Sequence, residues 1–128
     1  MKKIHFWLLL VIFVSLFSVQ PVSAQESGYG VHLRRNFGYG GGSNIRGTFT
    51  ISLVGDEKQV DKVVFLVDDK SMATVTSAPF QYKFHTDEYG YGTHRLSAEV
   101  FFIDEGSIIT PAVQYNFVSP GGEREQVT

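Results

Sequence analysis

Beyond its first 24 residues, the chain repeats apolar side chains at every second position and nowhere shows a helical period, which limits it to β-structure. In Ile45–Leu53, the odd positions are apolar or glycine and the even positions are Arg, Thr or Ser. His94–Phe102 alternates with its even positions inward, and Val63–Val67 is apolar throughout, as expected of a strand covered on both faces. Polar turn signals separate these runs. The pattern therefore predicts an all-β fold, an antiparallel β-sandwich of about seven strands.

The first 24 residues have the three regions of a secretory signal peptide. Met1–Lys3 is positively charged, Phe6–Phe17 is mostly apolar, and Val22 and Ala24 occupy the −3 and −1 positions of a cleavage site. The apolar run is shorter than the ~20 residues that a membrane-spanning helix needs. We therefore predict a signal-peptide helix at 1–24 and a secreted or extracytoplasmic protein. Its membrane contact would be limited to this segment, if it is retained, or to an anchor outside the sequence.

Three further segments follow. Residues 25–44 are glycine-rich, with a short first strand expected at Val31–Leu33 and a flexible loop at 36–44. Residues 45–118 hold the sandwich, and residues 119–128 form a polar disordered tail or linker. The chain has no cysteine, so its core alone must stabilise the fold. Loss of two signal-peptide lysines would lower the formal net charge from −2 to −4. Because such a domain lacks the basic surface that nucleic acid requires, we expect no nucleic-acid partner.

Five short blocks of the sequence resemble those of bacterial immunoglobulin-like domains. They are Gly47-x-Phe49, Val63-x-Phe65-x-Val67-Asp68, Ala78-Pro79-Phe80, Gly92-Thr93-His94-x-Leu96-x-Ala98 and Asp104-x-Gly106. The resemblance spans Ile45–Phe117 and implies an immunoglobulin-like sandwich. It also implies the role of a spacer, an adhesive module or an accessory binding unit, as found in exported glycosidases and surface proteins. The Cys…Trp…Cys core of antibody domains is missing.

Gly92 and His94 are predicted to form a structural corner. Antibody-like sandwiches place a tyrosine near the start of the sixth strand, where its hydroxyl binds the corner backbone. His94 stands at that place, two residues after Gly92, so we expect its ring to pack inward and one nitrogen to bind backbone. The alternative is a metal or catalytic histidine with His85 and Asp87 as companions. Their spacing matches no metal-site signature, which favours the structural role.

Three pairs of neighbouring carboxylates raise the question of catalysis: Asp68-Asp69, Asp87-Glu88 and Asp104-Glu105. A glycosidase needs two carboxylates that face each other across a substrate, but each pair here falls in a predicted turn, where Asp is favoured for local backbone bonds. Calcium in these loops is an alternative, although the D-x-D-x-D-G pattern is absent. No nucleophile elbow surrounds any serine. We therefore expect no enzyme activity, no cofactor and no metal.

Tyrosines beside glycines suggest a second function. Tyr29, Tyr39 and Tyr91 each lie between two glycines, and Tyr89 is close by. Tyrosine in a loop can present a flat ring to a sugar with little loss of side-chain entropy. The alternative to a carbohydrate-binding module with these four residues is that the rings fold back onto the sandwich.

An apolar patch is predicted on the outer face of one sheet. If Phe65 and Val100 face the core, the side chains next to them face outward. The predicted patch consists of Val64, Leu66, Phe101 and Ile103. A contiguous patch of this kind marks an interaction surface, unless the segment from Tyr29 to Phe37 lies across it. The leading prediction is thus a non-catalytic cell-surface module with an unknown protein partner, and the alternative partner is a glycan.

Overall fold

A computed structural model describes residues 28–120, and the predicted signal segment lies outside them. The described chain is built of strands, so the predicted all-β class is confirmed. The strands are β1 (Gly30–Gly41), β2 (Asn44–Val54), β3 (Val60–Val67), β4 (Lys70–Val75), β5 (Gln81–His85), β6 (Gly92–Phe102), β7 (Ser107–Ile109) and β8 (Val113–Phe117). Two short 3-10 helices, Glu57–Gln59 and Thr86–Tyr89, interrupt them. Within residues 28–120, no helix has the length and apolar character needed to cross a membrane.

The strands form two layers. In one layer β2 lies between β1 and β5, and in the other β6 lies between β3 and the pair β7 and β8, with β4 at the far edge of β3. A short parallel pairing of Asn44 with Asn116 and of Ile45 with Phe117 joins the layers into a continuous sheet. All other strand pairs are antiparallel. The layers are therefore fixed to each other where β2 begins and β8 ends.

The core lies between these layers. Phe49, Ile51 and Phe84 from the first layer meet Phe65 and Val100 from the second in one cluster of buried side chains. The alternation predicted for β2 is present, since every odd position from 45 to 53 is buried. Because each strand alternates, its other residues point away from the core, although the outward Thr50, Leu66 and Ser97 are also buried.

The prediction of a flexible glycine-rich loop at residues 36–44 is wrong. Residues 30–41 form a twelve-residue strand that pairs with β2 along its whole length, and only Gly42 and Ser43 turn between them. The sheet thus begins at residue 30 rather than at 45. Gly38 and Gly47 face each other, both at φ +125°. A side chain on either residue would overlap the backbone of the other strand, so both positions require glycine.

Candidate functional site

Asp68 and His94 meet at the corner where β6 begins. His94 Nδ1 lies 2.5 Å from Asp68 Oδ2, and His94 Nε2 lies 2.9 Å from the carbonyl oxygen of Gly90. The ring packs on Phe117 with centroids 4.4 Å apart, and the side chain is only 12 % exposed. Gly92 opens β6 beside Phe117 at φ +119°. The histidine thus connects the β5–β6 corner to the β3–β4 turn.

Asp68 is held by backbone as well as by the histidine. Asp68 and Asp69 both have positive φ and form the two-residue turn between β3 and β4. Arg95 N–H donates to Asp68 Oδ1 at 2.9 Å. Desolvation acts to raise the pKa of Asp68, but the bonds from Arg95 and His94 outweigh it and hold the pKa below its ordinary value. Sequence reasoning missed this pairing, because 26 positions separate the two side chains.

The proposed companions of His94 have other partners. His85 Nδ1 accepts from Asp87 N–H at 3.1 Å, and Glu88 Oε1 accepts from His85 N–H at 2.8 Å. Together they form a capping box for the Thr86–Tyr89 helix. Across residues 28–120, no three His, Asp or Glu side chains converge in a way that could hold a metal ion.

The four candidate tyrosines do not share a surface. The hydroxyl of Tyr29 donates to the Asp56 carbonyl at 2.7 Å, and its ring packs edge-on against Phe102. Tyr89 packs against the core rings of Phe84 and Phe117, and burial, followed by the nearby Tyr82 and Glu88, raises its pKa. A four-tyrosine glycan platform is therefore not formed.

Tyr91 and Tyr39 lie at the opposite end of the sandwich from Tyr29. Tyr91 precedes the Gly92–Phe117 pair, and Tyr39 lies next to Gly40, which pairs with Ile45. Tyr91 is 57 % exposed, whereas Tyr39 is half-buried. Tyr91 is thus the member of the set that is most open to a ligand.

The predicted apolar patch is more mixed than expected. Leu66 lies on the outer face but is only 8 % exposed, and its neighbour on β6, Ser97, is buried as well. Val64 faces Glu99, and Lys62 Nζ lies 4.7 Å from the centre of the Phe101 ring. The sequence reading of a continuous row of four exposed apolar side chains is wrong on these points.

Ile103 retains the exposure predicted for the patch, at 61 %. Ile109 on β7 pairs with Glu99 and is also exposed, so it extends the apolar surface on the far side of that carboxylate. The segment from Tyr29 to Phe37 does not cover this face, because it pairs with β2 in the other layer. That alternative is wrong as well.

A shallow cavity of about 310 Å³, which the sequence did not indicate, opens between β1 and β8. Residues from β1, β2, β8 and the intervening turn line it: Leu33, Arg35, Gly40, Gly42, Ile45, Phe49 and Tyr115. It lies where residues of β1 and β2 approach Tyr115 of β8. These residues follow no common spacing in the sequence. The cavity could have been predicted only from the pairing of β1 with β2.

Comparison with known proteins gives a family match for part of the chain and similarity to solved structures. Residues 40–98 match the bacterial Ig domain family. The resemblance seen in the sequence is thereby confirmed for this Ig segment, which runs from the end of β1 into β6. No curated protein matches the chain. Among solved structures, the fibronectin(III)-like modules of Clostridium thermocellum CbhA are similar, with 18 % identity, a TM-score of 0.45, and coverage of 68 % of this chain and 92 % of that chain.

Proposed function

We propose that the chain is a non-catalytic, exported immunoglobulin-like module at the cell surface that acts by protein–protein contact or as an accessory or spacer domain. The observation that carries the proposal is the use of its ionisable side chains. Asp68, His94 and His85 each bind nearby backbone, and none of them lines the cavity between β1 and β8. The match of residues 40–98 to a family of non-enzymatic modules supports the same role.

The contact surface in this proposal is the outer face of the second layer around Phe101, Ile103 and Ile109. Ile103 and Ile109 are exposed, and Phe101 is half-buried under Lys62. Glu99 and Lys62 lie among these residues, so the face combines apolar area with charges of both signs. Such a mixed surface is typical of a transient protein contact rather than of an obligate one.

The contact is tested by sedimentation of the purified protein over a range of concentrations. If the face mediates self-association, wild type shifts towards a dimer as concentration rises, and Phe101→Gln with Ile103→Gln remains monomeric. The control is Val54→Gln with Val113→Gln, which removes two exposed apolar side chains from other strands and should dimerise like wild type. If wild type stays monomeric at all concentrations, a homodimer through this face is excluded. The accessory or spacer role is then the part of the proposal that is retained. Export is checked separately by mass spectrometry of the secreted protein, which reads an N-terminus at Gln25 if cleavage follows Ala24.

A further inference from the structure

The outer face of the first layer is cationic, although the domain as a whole is acidic. Three rows of its outward positions each contain one residue from β1, one from β2 and one from β5. The rows are His32–Ser52–Gln81, Arg34–Thr50–Lys83 and Phe37–Thr48–His85. We call these nine residues the cationic face. None of them is a carboxylate.

The register places two permanent cations on either side of one threonine. Arg34 and Lys83 both pair with Thr50, so their backbones are two strand spacings apart, about 10 Å. Both side chains are exposed, and neither makes an ion pair with any residue in the range 28–120. Two carboxylates border one end of the face: Asp87 Oδ2 lies 3.6 Å from His85 Nδ1, and Glu88 Oε1 accepts from His85 N–H at 2.8 Å. The positive charge of the central row is therefore available to a ligand.

Hydroxyl groups and one exposed ring complete the surface. Thr50 is buried between the two cations, and its hydroxyl donates to Asn36 Oδ1 at 2.7 Å. The β1 bulge between Arg35 and Phe37 turns Phe37 outward in the next row, about 7 Å away, where the ring is 80 % exposed. An exposed aromatic ring near two exposed cations suits a ligand that has both an apolar face and negative charge.

We propose that the cationic face binds an acidic polysaccharide, a linear sugar polymer that carries carboxylates. A carboxylate can accept paired hydrogen bonds from Arg34, Lys83 contributes a second charge, and the Phe37 ring packs against the face of a neighbouring sugar. The rows repeat along three neighbouring strands, so they offer contacts to successive units of an extended chain. An anionic membrane is a poorer fit, because basic lipid-binding clusters have about four to eight Lys and Arg residues whereas this face has two.

The proposal predicts binding of the full-length protein to polygalacturonate but not to uncharged dextran, measured as retardation in native gels that contain each polymer. Arg34→Gln with Lys83→Gln should weaken binding about tenfold or more, since each loses a charge-assisted bond. The control, Lys58→Gln with Lys70→Gln, lowers the net charge equally at two other exposed sites and should bind within about twofold of wild type. Added salt should weaken the wild-type complex.

Phe37→Ala distinguishes a sugar from other polyanions. It should weaken binding to polygalacturonate and leave melting unchanged, because the ring is exposed. If the Arg34/Lys83 variant and the Lys58/Lys70 control lost affinity equally, binding would depend on net charge alone, and the proposal would be wrong. The proposal would also be wrong if poly-glutamate or phosphatidylserine vesicles bound as tightly and Phe37→Ala did not weaken that binding. The first result would indicate an acidic protein as the partner, and the second a membrane. Absence of retardation by polygalacturonate would also refute the proposal.

Discussion

At the scale of single residues, Asp68 illustrates how a carboxylate that looks catalytic in sequence becomes a structural group. Its two oxygens bind the backbone of Arg95 and the ring of His94, and these bonds favour its ionised form. The β3–β4 turn and the start of β6 are therefore connected by one side chain. The neighbouring carboxylate, Asp69, lies 3.8 Å from Arg95 Nη1, so it too faces the start of β6.

The lowered pKa of Asp68 predicts a specific dependence of stability on pH. Since the folded pKa lies below the unfolded value near 3.8, the stabilisation is complete above about pH 5 and is lost as the pH falls through the folded pKa. Asp68→Asn should therefore melt at a lower temperature than wild type near neutral pH. The difference between the two proteins should shrink as the pH is lowered towards about 2.5. A difference in melting temperature that stays constant over this range would contradict a stabilising role of ionised Asp68.

At the scale of elements, a buried threonine connects the Thr86–Tyr89 helix to β2. Gly47 N–H donates to Thr86 Oγ1 at 3.0 Å, and Thr86 is fully buried. Thr86→Val keeps the shape but leaves this amide without its acceptor, so it should lower the free energy of unfolding by about 1–3 kcal/mol. Urea denaturation measures the change. Thr93→Val, at an exposed position of β6, should stay within about 0.5 kcal/mol of wild type.

The close approach of β1 and β2 gives a second prediction for these elements. Gly47→Ala combines an unfavourable φ with an overlap on the Phe37 carbonyl oxygen, and should cost about 1–3 kcal/mol or more. Gly42→Ala has a positive φ of +60° but open space around it, so it isolates the cost of φ alone and should be milder. Equal melting temperatures for the two variants would show that β1 does not lie against β2 at this point.

At the scale of the whole molecule, the sequence was informative wherever a strand buries one face. The alternation in Ile45–Leu53 was readable because each inward residue meets the core. Beyond Val31–Leu33, β1 was not readable, because the close approach of β2 requires Gly38, and a local sequence pattern does not show that approach. The same limit applies to the candidate sites: the pairing of Asp68 with His94 and the cationic face depend on which strands become neighbours.

The burial of Leu66 shows a related limit. Its outward orientation follows from the alternation around Phe65, but orientation does not determine exposure. Ser97 beside it on β6 is buried too, so this end of the outer face is covered within the chain. A polar residue buried with an apolar one cannot be identified from period-two patterning alone.

The path of the chain has a mechanical consequence. Gly30 enters beside Val54 at one end of the sandwich, and Phe117 lies beside Ile45 at the other end, about 30 Å away. Tension between these two points would pull β1 lengthwise along β2, so the hydrogen bonds of that pair would bear the load in shear together rather than open one after another. If such a domain links a cell surface to a bound partner, it would carry force along the strand direction. The outer faces of its two layers would keep their structure under that load.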